Sequence, residues 1–321
     1  MLSDKARYSV KCGARKGWEG FVWMAKIIIP VSFFTALLEY SGLLYQLNSV
    51  LGPVMNILNL PAMAALPLVV GMLTGIYTGI AAMVVLPLTA EEMTLIAVFI
   101  MISHNLIQEA IIQAKSGLGA VKATLVRLTA SVVTVIIVSQ FLKGDAQTTV
   151  ATVGTLSSTK PFLVVIEAWF LATLSLFVKI FVIIIAIMIV LEIMRNYKLI
   201  DSIVKIINPF MRLLGLEKKV GLLWLTAVVF GLSYGAAVIV SEARNGSFTQ
   251  AELEDLHISI GINHAIIEDP AIFLSLGLSP IWLWAPRFIA AIIAVHVFSV
   301  WRTIRHGRGS PPAIKPKDSH L

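Results

Sequence analysis

Long apolar runs alternate with short polar breaks along most of the chain. The runs at 21–38, 62–88, 124–142, 161–194 and 281–301 approach or exceed the roughly 20 residues that carry a helix across a hydrocarbon layer about 30 Å thick. Backbone inside such a layer must satisfy its own hydrogen bonds, so these runs predict spanning helices. The expected fold class is an all-α polytopic membrane protein. The first run is longer than a signal-peptide core and reads as an uncleaved span behind a basic leader, residues 1–19.

The polar breaks repeat. His104-Asn105-Leu106-Ile107-Gln108-Glu109 is followed by Gly117-Leu118 and Arg127, and His264-Ala265-Ile266-Ile267-Glu268-Asp269 by Gly277-Leu278 and Arg287, at a constant offset of 160. At an offset of 156, Pro53, Met55, Gly75 and Gly79 meet Pro209, Met211, Gly231 and Gly235; at 153, Lys26 and Glu39 meet Lys179 and Glu192. Proline and glycine matches impose shared backbone geometry. Two repeats are expected, at 20–142 and 173–303. A linker and the start of the next helix (143–172) join them, and a disordered tail (304–321) follows.

Each repeat has the same parts. A span (about 21–44; 173–195) precedes a short amphipathic stretch near Pro53 or Pro209. In the second copy Asp201, Lys205, Asn208 and Arg212 recur at helical spacing, as in a helix lying on the membrane surface. The next apolar segment carries Gly75-Ile76-Tyr77-Thr78-Gly79 or Gly231-Leu232-Ser233-Tyr234-Gly235. Such glycines suit either close helix packing or the tip of a re-entrant hairpin that lines a cavity.

Charge decides between these. Of 25 Lys and Arg residues, six lie in 1–26, six in 195–219 and five in 302–321, which places those segments in the cytoplasm by the positive-inside rule. That pattern closes only if the glycine-bearing segment is re-entrant, giving three spanning helices per repeat. Three is odd, so the two copies are inverted, with both termini cytoplasmic and the protein in the cytoplasmic (inner) membrane. The net charge of +7 is thus a topology signal, and no soluble basic face for nucleic acid is apparent. The single cysteine, Cys12, excludes an intrachain disulfide. No phosphate loop, nucleophile elbow or HExxH helix occurs, so no enzyme activity and no cofactor are expected. The expected partners are a small-molecule or ion substrate and the lipid bilayer, with homo-oligomerisation allowed.

Ionisable residues within spans are costly and mark functional sites. Counting about 12 and 15 Å from the Gly117 turn puts Glu109 and Arg127 at equal depth, and likewise Asp269 and Arg287. Each couple reads as an intramembrane ion pair, structural or opened by substrate. His104 with Gln108, and His264 with Glu268, stand four residues apart, so each couple is expected to face one direction. They are candidates for substrate binding or proton relay, the bland alternative being a histidine bonded to a neighbouring carbonyl. Asn105 and Asn263 flank them and can serve a ligand or an unwound backbone. Tyr77, Thr78, Ser233 and Tyr234 offer hydroxyls at the hairpin tips, as ligands or as caps. No resident metal is expected; a permeating divalent ion would instead use His104, His264 and Glu268.

The order of span, surface helix, hairpin, broken span and span, twice over and inverted, resembles the core of the concentrative nucleoside transporters. At this length it looks most like the nucleoside-recognition (Gate) domain membrane proteins, which include fused spore maturation proteins A and B and relatives of the membrane part of ferrous-iron transporters. The hairpin motifs that bind nucleoside in true nucleoside transporters are not recognisable at 71–80 or 227–236. The resemblance implies alternating-access transport of a small polar or charged solute, nucleoside-like or not, coupled to H⁺ or Na⁺. Divalent metal permeation and a non-transporting membrane partner of the spore-maturation type are the alternatives.

Overall fold

The computed structural model describes residues 2–46, 48–142, 161–197, 210–232 and 248–306, with 199, 203, 206, 207, 235 and 238–240 between the last three stretches. Ser233, Tyr234, Asp201, Lys205, Asn208, Pro209 and most of the linker and tail lie outside the described residues. Among those described there is no strand. The α-helices are α1 (Leu2–Tyr40), α2 (Leu43–Gln46), α3 (Asn48–Ile57), α4 (Ala65–Thr74), α5 (Ile76–Met83), α6 (Ala90–Ser103), α7 (Leu106–Ser116), α8 (Ala120–Phe141), α9 (Phe162–Asn196), α10 (Gly221–Phe230), α11 (Gln250–Ile262), α12 (Glu268–Leu274) and α13 (Pro280–His306).

Five stretches are long and apolar enough to cross a membrane: Asp4–Tyr40, Ala90–Ser116, Ala120–Phe141, Phe162–Asn196 and Pro280–Arg305. A bent pair, Val50–Ile57 with Ala62–Thr74, turns through 82° and is either a sixth, broken span or a re-entrant element. The protein is therefore a helical membrane protein. The basic segment expected at 1–19 runs into the first span within one helix of 39 residues, Leu2–Tyr40. At 1.5 Å per residue that helix is about 58 Å long, well beyond the hydrocarbon thickness.

The chain forms two compact units, each assembled from distant stretches: unit 1 from Met1–Asn105, Ser131–Asn196 and Glu268–Pro286, unit 2 from Leu106–Ala130, Tyr197–Ile267 and Arg287–Leu321. Each unit draws on both sequence repeats. Unit 1 takes α12 from the second copy, and unit 2 takes α7 from the first.

Lipid tails are as apolar as leucine, so helices in a membrane associate through close packing and polar contacts rather than through burial from water. In unit 1, α1 and α9 pair this way. A Cβ on Gly13 would stand 2.6 Å from Ile189 Cα, so the backbones touch only because residue 13 has no side chain. Lys16 meets Glu192 at 2.5 Å, and the Trp169 indole donates to Ser32 Oγ at 3.2 Å. In unit 2 the start of α11 is tied by Lys122–Glu254 (2.9 Å) and Arg302–Asp255 (2.6 Å).

Candidate functional site

In unit 1 the α4–α5 hairpin turns on one residue, Gly75, at φ 116° and ψ 175°, a conformation that a side chain would make costly. Gly79 lets the arms close: a Cβ there would lie 2.5 Å from Ile100 Cδ1 and 3.4 Å from Gly71 Cα. The buried Thr78 hydroxyl stands 2.6 Å from the Gly75 carbonyl and so braces the tip itself.

The broken end of α6 lies against this tip. The helix starts at a capping box, in which Thr89 and Glu92 satisfy each other's backbone N–H groups. It stops at His104, after which Asn105 is left-handed at φ 48°. Asparagine tolerates that region. Its amide fills the space a Gly75 side chain would need, with Oδ1 3.0 Å from the Cβ position. His104 is buried and its Nδ1 stands 3.1 Å from the Ile100 carbonyl. From the tip, Tyr77 donates its hydroxyl to Glu268 Oε1 at 2.8 Å, at the start of α12, while Trp23 packs edge-on against the phenol ring. Asp269, next in sequence, is buried.

Unit 2 repeats the motif with other residues. Gly231 ends α10 at φ 83°, and a Cβ on Gly235 would stand 2.6 Å from Ala227 Cα. The helix α11 starts at a second capping box, Thr249 with Glu252, and ends at Asn263. Ala265 is left-handed at φ 46°, and its methyl is 3.9 Å from the Cβ position of Gly231. The Ile266 N–H donates to the Val228 carbonyl at 2.8 Å, fixing the break to the end of α10.

At this break the ionisable groups converge. His264 places Nδ1 2.8 Å from the Ile260 carbonyl and Nε2 3.2 Å from Glu109 Oε1. Glu109 Oε2 is in ion-pair contact with Arg127 Nη1 at 2.6 Å, and Arg287 Nη2 donates to the His264 carbonyl at 2.8 Å. All four residues are buried. Because Nδ1 faces a carbonyl it carries a proton, so the Nε2–Oε1 contact closes only with a further proton on one of those two atoms.

The expected four-residue couples do not hold as couples. Helix α6 ends at Ser103 and α7 starts at Leu106; α11 ends at Ile262 and α12 starts at Glu268. Helical spacing does not survive an interrupted helix, so His264 meets Glu109, Glu268 meets Tyr77, and Gln108 is exposed. Asn263 is 1% exposed, and its Oδ1 has no hydrogen-bond partner among the described residues. One residue escaped the sequence reading: His257, fully buried on α11, with Nε2 3.0 Å from the Ser116 carbonyl. Its signal was present as a second histidine seven residues before His264 in the same apolar stretch.

Comparison with known proteins bears on these arrangements. Residues 21–138 and 177–294 match the family described as nucleoside recognition (Gate). A relative from Bacillus subtilis (strain 168), called "Uncharacterized membrane protein YvoD", is 27% identical over 304 residues, covering 92% of this chain and 97% of its own. No solved structure matches.

Proposed function

Since the chain belongs to the Gate (nucleoside recognition) family of membrane proteins, we propose that it is an alternating-access transporter of a small polar or charged solute. In this reading the two repeats run through the bilayer in opposite directions, with both termini in the cytoplasm of a cell whose inner membrane holds the protein. The observation that carries the reading is the hairpin tip set against a broken helix, found in both units with ionisable side chains at the break. Interrupted helices of this kind are where secondary transporters place substrate and coupling ion, and buried charge inside a membrane is otherwise hard to account for. Tyr77, Glu268, His104 and Asn105 in unit 1, and His264, Asn263 and Glu109 in unit 2, are the proposed binding groups. Thr78 braces its hairpin, and Arg127 and Arg287 hold the unit 2 break in shape.

A thermal-shift screen of nucleosides, nucleobases, amino acids and simple cations on purified protein, followed by counterflow in proteoliposomes, tests this. Stabilising solutes should exchange across the membrane, and His264→Ala or Glu268→Gln, in protein that purifies normally, should abolish the exchange. Exchange unaffected by both changes removes the site assignment. Stabilisation without exchange for any solute favours a non-transporting membrane partner.

One contact favours a second reading, passage of a divalent metal ion. Two ligands about 2.1 Å from one ion at a tetrahedral angle stand about 3.4 Å apart. Glu109 Oε1 and His264 Nε2 are 3.2 Å apart, with Nδ1 braced on a carbonyl as in metal-binding histidines. Glu109 thus takes the place the sequence reading gave to Glu268. Stabilisation by Mn²⁺ or Zn²⁺ that disappears in both His264→Ala and Glu109→Gln would establish this reading, and stabilisation that persists in either would remove it.

A further inference from the structure

Glu109, Gln113 and Ser116 stand at i, i+4 and i+7 on α7, so they share one helix face. His257, Gly261 and His264 have the same spacing on α11 and its C-terminal end. Within unit 2 the two faces meet antiparallel. Glu109 opposes His264 at 3.2 Å, Gln113 Nε2 lies 3.4 Å from the His257 carbonyl, and His257 Nε2 lies 3.0 Å from the Ser116 carbonyl. Gly261 makes the middle rung possible, because a Cβ there would stand 2.8 Å from Gln113 Nε2. A glycine inside a helix is costly relative to alanine, and here it yields room for a polar group rather than an apolar one. The seam is about 10 Å long and ends at the turn where the Gly117 carbonyl accepts from Gln250 at 2.6 Å.

Every side chain along the seam is polar and at least nine-tenths buried, from Glu109 at 5% exposure to His257 at 0%. Two of its atoms, Gln113 Oε1 and His257 Nδ1, have no hydrogen-bond partner among the described residues. An atom left in that condition is destabilising, and a dry apolar seam would avoid the cost. Both atoms are acceptors. The amide oxygen is one by nature, and Nδ1 is one because the ring's proton sits on Nε2, facing a carbonyl. Acceptors without donors are satisfied by water, hydronium or a small cation, and are hostile to anions.

We propose that the α7–α11 seam is a hydrated passage for small hydrogen-bond-donating species, running from the Gly117 turn to the Glu109–His264 pair. As a hydrated passage it stands on the contacts above; as a route for a coupling cation it rests on the transport reading. His257 and Gln113 are its lining.

Cysteine accessibility tests it. Cys12 is the chain's one cysteine; in a Cys12→Ser background, Gln113→Cys and Ser116→Cys are placed on the seam. Ile258→Cys, at a position 1% exposed and beside His257 in sequence, is the control. Each is exposed to two methanethiosulfonates of similar size, one ending in an ammonium and one in a sulfonate. Both seam positions should react with the ammonium reagent at least about tenfold faster than with the sulfonate, the lower end of electrostatic selection in a charged cleft, while position 258 reacts with neither. Seam cysteines as protected as position 258, or equal rates with the two reagents, would overturn the proposal. If Gln113→Cys does not fold, Ser116→Cys, which exchanges an oxygen for a sulfur, decides alone. Labelling is read without any flux, so a labelled seam in a protein that transports nothing sinks the transport reading and leaves the passage standing. Transport with a protected seam does the reverse.

Discussion

The Glu109–Arg127 pair gives the sharpest energetic test of the unit 2 break. Their side chains are 6% and 2% exposed and in contact at 2.6 Å. Removing one partner of a buried ion pair costs about 3–5 kcal/mol, mainly because the other charge stays buried. The two partners differ in what they can do when abandoned. Arginine cannot release its proton under any ordinary condition, whereas a carboxylate can take one up. Glu109 also keeps His264 at 3.2 Å when Arg127 is gone. Glu109→Gln, which preserves shape and still offers a donor to His264 Nε2, should therefore cost about 3–5 kcal/mol, and Arg127→Met distinctly less. Adding Arg127→Met to Glu109→Gln removes a buried cation that has lost this carboxylate, so the double variant should be more stable than Glu109→Gln by about 2 kcal/mol or more. Reversible unfolding in mixed micelles, followed by tryptophan fluorescence and circular dichroism, gives the four stabilities of the cycle. A double variant less stable than Glu109→Gln, or a cycle that sums without coupling, would mean that the two side chains do not act as a buried ion pair.

Three further outcomes follow from single contacts. Tyr77→Phe removes one hydrogen bond to a carboxylate and should lower stability by about 1.5–3 kcal/mol; an unchanged unfolding midpoint would mean that the Tyr77–Glu268 contact contributes nothing. Ala265→Gly relieves a left-handed residue that costs an L-amino acid about 1–2 kcal/mol, so it should raise stability slightly, while Ala265→Val should lower it; the opposite order in the same unfolding assay contradicts the observed φ. At the α11 N-terminus, burial opposes ionisation of Glu252, but the Lys219 ammonium and the Thr249 cap outweigh it and hold the carboxyl below its ordinary value of 4.5. A depressed carboxyl stabilises the fold above its unfolded-state value, and that contribution fades as pH drops below about 4.5. Glu252→Gln should therefore flatten the acid side of the stability profile, and a profile parallel to the parent's would remove this assignment.

What the sequence disclosed depended on whether a residue type carries its own geometry. Gly75 and Gly231 stood out in the sequence because few other residues take the positive φ they adopt, and Gly79 and Gly235 because only hydrogen lets a neighbouring backbone come so close. The apolar runs announced the spans through length alone. Ala265 gave no such sign, since alanine prefers ordinary helix. The capping boxes Thr89-Ala-Glu-Glu92 and Thr249-Gln-Ala-Glu252 show where α6 and α11 begin. Partner choice was the hard part. Four-residue spacing assigned His264 to Glu268, yet the helix is interrupted between them, and Glu109 reaches His264 from a different repeat. Helical periodicity cannot anticipate a break, nor can it say that α7 packs in one unit with the second copy's α11 while α12 joins the first copy's hairpin. His257 went unnoticed because a lone histidine in an apolar helix resembles any satisfied core residue until Ser116 and Gln113 are seen across from it.

In the proposed function the polar groups at the broken helices bind and move a solute. Counterflow in proteoliposomes, with a solute chosen by thermal shift, measures it most directly in the parent, in His264→Ala and in Tyr77→Phe. Exchange is expected in the parent, none in His264→Ala and weakened exchange in Tyr77→Phe, with all three proteins inserted at equal density. Equal exchange in all three would contradict it.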